Sequence, residues 1–515
     1  MHSRIILGVG ILGLVGCGVF GSEDTSMPPA ATPPVDPGPS ADGGLPEGAP
    51  PPAVGTPDNN ELTNQFGVFV TTTGTADGDG TKEHPLASIA AGIDRVKDLK
   101  LRVYVCAGTY AESLTLVNAV SVIGSLGCDG GIWTTGGGRS ILNAPTSPAV
   151  RAKDIALATR FEGFDVTAPA GTAMAPNSIA LIAENATMLT VANAKLTSAK
   201  AFDGVDGTDG VQLTLGANAN GHNGAAASGP FILGPGAIPR QLGAAGGVGA
   251  CVGAAGHDPV SGGPGGNGAS QTCTGNVGGV CTWTVPDATY ERTDAVVQPS
   301  GAGAAGNDGA SASKGGAFSA ADGYAPAGGA AGSDGLPGKG GTGGNSGPDW
   351  STAGNPSTDG NHVRYGASGA GGGAGGCPGL AGTPGTGGGA SISALVFASP
   401  GLTFTTVELV GGDGGRGGKG TFGSLPGPGG QPGTTPAGAS AATSGSFGGR
   451  AGYSGNGAGG PSVALAFTGG AVVLSPDTHT TAGVAGAGVA SRVEPFTNVT
   501  MPASAAGTAT PVMQF

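Results

Sequence analysis

The stretch that decides the fold begins with Gly74-Thr-Ala-Asp-Gly-Asp-Gly-Thr81 and continues with Pro85-Leu-Ala-Ser-Ile-Ala-Ala-Gly-Ile-Asp-Arg-Val96. The first part predicts a loop, because glycine and aspartate favour turns. The second part predicts an α-helix that starts near Pro85, since proline suits a first helical turn. Its apolar residues recur at helical spacing: Leu86, Ile89, Ile93 and Val96. Runs of apolar β-formers around it predict short strands at 66–70, 101–105, 114–117 and 120–124.

Three later segments repeat one apolar pattern. They are Ser178-Ile-Ala-Leu-Ile182, Ile392-Ser-Ala-Leu-Val396 and Ser462-Val-Ala-Leu-Ala466. In each case further apolar β-formers follow within the next ten or so residues, and then glycine. A repeat of about 25 residues with short strands is typical of a solenoid, whose repeats bury apolar side chains only when they stack.

The order of the first motifs resembles the start of the right-handed parallel β-helix of the pectate-lyase-like superfold. The matching motifs are Asp77-Gly-x-Gly-Thr81, Gly108-Thr-Tyr-x-Glu112 and Val120-x-Val-Ile-Gly124. The resemblance implies an all-β fold, a right-handed single-stranded parallel β-helix with an N-terminal capping helix and long glycine-rich insertions. It implies no particular activity, because one fold hosts many functions.

Glycine makes up 109 of the 515 residues, about three times its usual share. In three runs, 329–347, 373–388 and 411–423, glycine falls at every third position. This spacing suits packed polyproline-II-type helices, because only glycine fits where their backbones touch. We therefore expect the insertions 204–389 and 411–460 to form a side lobe of polyglycine-II-like strands, with flexible low-complexity loops as the alternative. The composition also resembles that of the glycine-rich PGRS-type surface proteins.

The N-terminus predicts export. Arg4 precedes a short apolar run, 5–15, which is too short to span a bilayer and has the layout of a secretory signal. Leu14-Val-Gly-Cys17 resembles a bacterial lipobox, which implies lipidation of Cys17 and cleavage before it; an ordinary signal with an incidental cysteine is the alternative. Gly18 stands where an aspartate would mark inner-membrane retention, so the resemblance implies the outer membrane or cell surface.

The sequence thus divides into seven regions. They are a signal peptide (1–16), the lipidated cysteine with a proline-rich disordered linker (17–58), N-terminal β-helix coils (59–203), a glycine-rich insertion (204–389), a further coil (390–410), a second glycine-rich insertion (411–460), and the final coils with the C-terminal tail (461–515).

Besides Cys17, the chain has six cysteines: Cys106, Cys128, Cys251, Cys273, Cys281 and Cys377. An even number in an exported chain predicts disulfides. Cys106 and Cys128 stand alone in the N-terminal part and are the expected pair, whereas the pairing of the other four stays open. A zinc site is not expected, because no C-x-x-C occurs and no histidine lies at ligand spacing.

Charge and motif content argue against several function classes. The net charge of −13 without a basic cluster disfavours nucleic acid as a partner. The coils offer four carboxylates for polysaccharide cleavage, Asp154, Glu162, Asp165 and Glu184. Glu162 and Asp165 lie three residues apart in an expected strand, so they point to opposite faces, and exposed solubilising charges are the favoured interpretation. Four aspartates are candidate calcium ligands: Asp203, Asp206, Asp209 and Asp413. They lack the nonapeptide repeat of calcium-binding β-rolls. No cofactor is expected, with calcium as the alternative.

The expected function is that of a membrane-anchored surface lipoprotein with a structural, adhesion or matrix-binding role and no evident catalysis. The first alternative is a β-helix protein that binds or cleaves polysaccharide, as a lyase or glycoside hydrolase. The second is a calcium-stabilised surface protein. The expected partners are the membrane, through the lipid anchor, and polysaccharide or other envelope components.

Overall fold

The computed structural model describes residues 55–232, 241–268, 270–272, 275–277, 280–282, 294–295, 297–347 and 362–515. The elements of the first part are β1 (Gly67–Thr75), α1 (Ile89–Val96), β2 (Arg102–Cys106), β3 (Gly108–Tyr110), β4 (Leu114–Leu116), β5 (Val122–Leu126), a short 3-10 turn (Asp129–Gly131), β6 (Ser140–Asn143), β7 (Val150–Lys153), β8 (Thr159–Glu162), β9 (Phe164–Thr167), β10 (Ser178–Glu184) and β11 (Leu189–Thr197). The lipobox, Cys17 and most of the linker lie outside the described residues.

The later elements are shorter and lie between glycine-rich segments. They are β12 (Thr214–Leu215), β13 (Ser228–Ile232), β14 (Cys251–Val252), β15 (Ser270–Thr272), β16 (Gly275–Val277), β17 (Val280–Thr282), β18 (Ala317–Ser319), β19 (Gly323–Ala325), β20 (His362–Tyr365), β21 (Ser391–Phe397), β22 (Thr403–Val410), β23 (Ser462–Thr468), β24 (Val473–Leu474), β25 (His479–Thr481), β26 (Arg492–Val493), β27 (Thr500–Met501) and β28 (Ala509–Gln514).

The largest sheet has eleven parallel strands and bends back on itself. Its path is β1-β2-β5-β8-β11-β9-β6-β3, with β22, β24 and β25 continuing from β11. The strand β11 is long enough to pair with β8 through Leu189–Ala192 and with β9 through Lys195–Thr197. The row of strands β1-β2-β5-β8 and the row β3-β6-β9 are therefore joined through β11. Because β1 also lies against β3, the sheet is almost closed and barrel-like.

This closure corrects the fold class expected from the sequence. A single-stranded β-helix would keep the rows of strands in separate stacks, whereas here β11 links two rows into one sheet. The prediction of an all-β, right-handed single-stranded parallel β-helix is therefore wrong. Parallel strands in an almost closed sheet, with α1 packed against β1 and β2, are consistent with an α/β-type fold instead.

A second sheet of six strands has the order β28-β23-β21-β10-β7-β4. The three repeat segments are parallel neighbours in it, as β10, β21 and β23. The alignment read from the sequence holds between β10 and β23 but places β21 one residue out of register, since Leu181 pairs with Ala394 and Ala394 pairs with Leu465. Buried side chains of these strands form an apolar cluster with Tyr324.

The helix α1 starts at Ile89, later than the proline pattern predicts, because its first turn is held from outside. The Glu112 carboxylate accepts the N–H groups of Ile89 at 2.8 Å and Ala90 at 3.0 Å, and the hydroxyl of Ser88 at 2.8 Å. Ser88 Oγ in turn accepts the Ala91 N–H at 3.2 Å. The Gly-Thr-Tyr-x-Glu motif thus supplies acceptors for N–H groups that a helix leaves unpaired.

The glycine-rich part has a core made of backbone. Residues 366–379 are buried without interruption. Backbone hydrogen bonds connect this segment to the stretches 219–222, 244–247, 260–266, 338–347, 427–433 and 443–446. Where protein interiors are usually filled by large apolar side chains, this one is filled by neighbouring main chains.

The packing repeats every third residue and requires glycine. The N–H groups of Gly338 and Gly341 donate to the carbonyls of Gly376 and Gly373 at 2.8 and 2.7 Å. A Cβ atom on Gly373 would lie 1.9 Å from the carbonyl oxygen of Gly430, and one on Gly375 2.0 Å from that of Gly338. A side chain at either position would therefore force the neighbouring main chain to shift.

Short polar side chains complete the backbone pairing. The N–H of Thr443 donates to the carbonyl of Thr342 at 2.9 Å, and Thr443 Oγ1 accepts the Thr342 N–H at 2.8 Å. Ser446 makes the same pair of bonds with Lys339, at 2.9 and 3.0 Å. Serine and threonine therefore serve here as acceptors for main-chain groups that the glycine pattern alone leaves unpaired.

The described residues include two disulfides. Cys106 pairs with Cys128, the pair expected from the sequence, and Cys251 pairs with Cys377, with Cα atoms 5.9 Å apart in each. Cys377 is fully buried in the glycine core. Cys273 and the side chain of Cys281 lie outside the described residues.

Candidate ligand groove

The period of three arranges side chains in rows on the surface of the glycine-rich part. The first row lies in the segment 203–212 and consists of Asp203, Asp206, Asp209 and Gln212. In the neighbouring segment the row consists of Asp413, Arg416, Lys419, Phe422 and Leu425. With three residues per turn, every third side chain falls on the same face.

Hydrogen bonds fix how these two rows face each other. Asp203 Oδ1 accepts the N–H of Arg416 at 3.0 Å, and Asp206 Oδ1 accepts the N–H of Lys419 at 2.9 Å. The carbonyls of Arg416 and Lys419 accept N–H groups from the residues that follow these aspartates, at 2.7 Å each. The same register brings Asp209 opposite Phe422.

The first two aspartates of the row are held as carboxylates. The Lys419 N–H, followed by the Arg416 guanidinium at 3.0 Å, lowers the pKa of Asp206. Partial burial acts to raise the pKa of Asp203, but the Arg416 N–H and the Lys200 ammonium outweigh it, and the pKa is lowered. Both side chains are thus engaged by their own chain.

A groove of about 520 Å³ opens where the row continues to Asp209 and Gln212. The neighbouring row contributes Lys419 and Phe422 to its lining. A third side is formed by Arg492 of β26 and by Glu494 and Phe496, which follow it. The volume is within the range of about 300–1,000 Å³ that small-molecule sites have.

Arg492 connects the groove to the structure beneath it. Its guanidinium lies 5.4 Å from the ring centre of Phe422, a cation–π contact, and Nη2 lies 3.2 Å from Asn456 Oδ1. Its Nε atom is buried and has no hydrogen-bond partner among the described residues. Phe422 also contacts the ring of Tyr453 edge-on, with centroids 6.4 Å apart.

The outer side of the groove is shaped by Glu494. Desolvation acts to raise the pKa of this carboxyl, but hydrogen bonds from Thr497 and from the Phe496 N–H outweigh it, so the pKa is lowered. The Phe496 N–H lies 3.0 Å from Glu494 Oε2, and the Thr497 hydroxyl 2.6 Å from it. The turn leaves the Phe496 ring 78% exposed beside the groove.

The structure does not bring the candidate cleavage carboxylates into one site. Glu162 is buried in β8, forms an ion pair with Arg160 and accepts the Thr56 hydroxyl at 3.0 Å. Asp165 lies in β9, half-exposed, 3.8 Å from Arg139. A cavity of about 320 Å³ is lined by Glu162 and Arg139, and the described residues around it do not include Asp165.

The calcium candidates are likewise not gathered as ligands. Asp203 and Asp206 are bonded as above, Asp209 lines the groove, and Asp413 accepts the Val484 N–H at 2.8 Å. Within the described ranges, no three acidic, histidine or cysteine side chains are placed to hold a metal ion. In the same part of the chain, no helix has the length and apolarity needed to cross a membrane.

Sequence reasoning missed most of the groove. Counting in threes from Asp413 would have placed Arg416, Lys419 and Phe422 on one face. The contribution of Arg492 and Phe496 has no comparable signal, because a hairpin far along the chain brings them there. No protein family model, curated protein or solved structure matches this chain.

Proposed function

We propose that the chain is an exported bacterial lipoprotein, anchored through Cys17, that acts as a rigid, non-catalytic scaffold of the cell envelope with an adhesion or matrix-binding role. The observation that carries this proposal is the buried glycine segment 366–379, locked by Cys251–Cys377. Such packing makes a stiff body from sequence that would otherwise be a flexible loop. Disulfides fit an extracytoplasmic location.

The attachment of the linker supports a tethered arrangement. The Arg102 side chain, 1% exposed, donates to the Gly55 carbonyl and to Glu61 Oε2, each at 3.2 Å. The Tyr104 hydroxyl donates to the Glu61 carbonyl at 2.8 Å. The end of the linker is therefore hydrogen-bonded to β2 before β1 begins. The proline-rich part that precedes it would hold the folded part away from the membrane.

The anchoring is tested by producing the full chain in a Gram-negative host that is fed an alkyne-bearing fatty acid. We expect label on the wild type and on G18A, and none on C17S. Surface biotinylation of intact cells should modify the labelled protein, and outer-membrane fractions should contain it. An unlabelled wild type, or equal labelling of C17S, would overturn the lipoprotein proposal.

A further inference from the structure

We propose that the groove between Asp209, Phe422 and Phe496 binds a segment of neutral oligosaccharide. This inference deepens the matrix-binding part of the proposed function and rests on it. Binding at this groove requires the folded chain and does not depend on lipid at Cys17.

The combination of side chains matches the chemistry of a sugar ring. A pyranose presents a C–H face that packs on an aromatic ring and a rim of hydroxyls that bond to planar polar groups. The exposed Phe496 ring and the half-buried Phe422 offer the first surface. The Asp209 carboxylate and the Gln212 amide, both exposed, offer the second.

The register of the rows explains why the groove opens here and not earlier. Where Asp203 and Asp206 face Arg416 and Lys419, neighbouring N–H and guanidinium groups occupy the carboxylates. Asp209 instead faces Phe422, whose side chain has no donor, and in the described part of the chain no N–H or O–H group is bonded to the Asp209 carboxylate. A ligand hydroxyl can therefore donate to the Asp209 carboxylate, as N–H groups of the protein do to Asp203 and Asp206.

The balance of charge favours a neutral ligand. The groove is lined by three acidic side chains, Asp206, Asp209 and Glu494, and by two basic ones, Lys419 and Arg492. Arg416, from the same row as Lys419, forms an ion pair with Asp206 at 3.0 Å. Opposite charges this closely interspersed create little net field, so neither a polyanion nor a polycation is drawn to the groove.

The test is isothermal titration calorimetry of the full mature chain in detergent with cellohexaose, chitohexaose, maltohexaose and, as the anionic comparison, hexagalacturonate. We expect at least one neutral hexamer to bind. F496A and D209A should each weaken that binding about tenfold, equivalent to roughly 1.4 kcal/mol. The matched control is F447A, which removes a phenylalanine 59% exposed on the same part of the molecule and outside the groove lining.

Thermal melting of each variant shows whether the fold is kept. Neutral-hexamer binding that F496A and D209A weaken and F447A leaves intact supports the groove. No binding of any neutral hexamer, binding of hexagalacturonate alone, or equal binding by all variants would overturn it. Such a failure alongside positive fatty-acid labelling of Cys17 would leave the scaffold proposal standing.

Discussion

Glu112 is the residue that ties the N-terminal sheet to the helix beside it. One carboxylate oxygen accepts the Ile89 N–H and the other accepts the Ala90 N–H and the Ser88 hydroxyl. In E112Q an amide nitrogen replaces one of the two carboxylate oxygens and cannot accept, so the hydrogen bonds to that oxygen are lost. We expect the free energy of unfolding to fall by about 1–2 kcal/mol, as for the loss of a helix cap, measured by urea denaturation.

The matched control for that experiment is E408Q. Glu408 forms an ion pair with Lys195 at 2.9 Å, and both side chains are largely exposed. Exposed ion pairs contribute about 0–1 kcal/mol, so the control should lose less. Equal losses in the two variants would show that Glu112 acts only as a surface charge.

The aspartates of the first row make stability depend on acid. The pKa of Asp203 and of Asp206 is lower in the folded chain than the value of about 3.9 for an unfolded aspartate. Their stabilisation is therefore complete above that value and is lost as the pH falls through the folded pKa. We expect the Tm of the wild type to drop below about pH 4, and R416Q to show a smaller drop, in thermal scans between pH 7 and 2.

The control for the acid experiment is K314Q, which removes an exposed cation from the same glycine-rich part. It should reproduce the wild-type pH profile. A profile of R416Q that runs parallel to the wild type at every pH would exclude the row of aspartates as the source of acid sensitivity.

At the scale of elements, the glycine-rich segments stabilise the fold through close packing of their main chains. We expect G373A to lower the free energy of unfolding by about 1–3 kcal/mol, because its methyl group would overlap the Gly430 carbonyl. G216A is the control, since a Cβ there meets its nearest atom, the Ala250 carbonyl oxygen, at 3.6 Å. Urea denaturation compares the two; a loss in G373A no larger than in G216A would mean that the segment is not packed.

Sequence patterns predicted elements better than the way the elements pair. The apolar repeat identified β10, β21 and β23 as equivalent, since each carries the same run of buried residues. It placed β21 one residue out of register with its two neighbours, because Ala394 and Leu395 are both buried and the pattern does not distinguish them. Strand register depends on contacts across the sheet, which a single repeat does not encode.

At the scale of the whole molecule, the Cys251–Cys377 disulfide joins residues 126 positions apart and holds the buried glycine segment to β14. Removing such a bond costs about 2–5 kcal/mol. We expect the double variant C251S/C377S to lose that much by urea denaturation and to become sensitive to thermolysin within the glycine-rich part. A double variant as stable and as resistant as the wild type would contradict the role of this bond.

The overall fold was predicted wrongly for a physical reason. The motifs from Phe66 to Gly124 correctly indicated parallel strands with a helix, but closure of the sheet depends on β11 pairing with both β8 and β9. Nothing local in Leu189–Thr197 encodes two partners. The groove was hidden for the same reason, because its three sides come from segments more than 60 residues apart along the chain.

The central claim is that the glycine-rich segment 366–379 is a hydrogen-bonded core. Amide hydrogen exchange of the full chain in oxidising buffer, followed by mass spectrometry, is the measurement that addresses this core. We expect peptides from 366–379 to exchange as slowly as those from β10, since both segments are buried and hydrogen-bonded. Exchange of 366–379 at the rate of an unstructured chain, with β10 still protected, would contradict it.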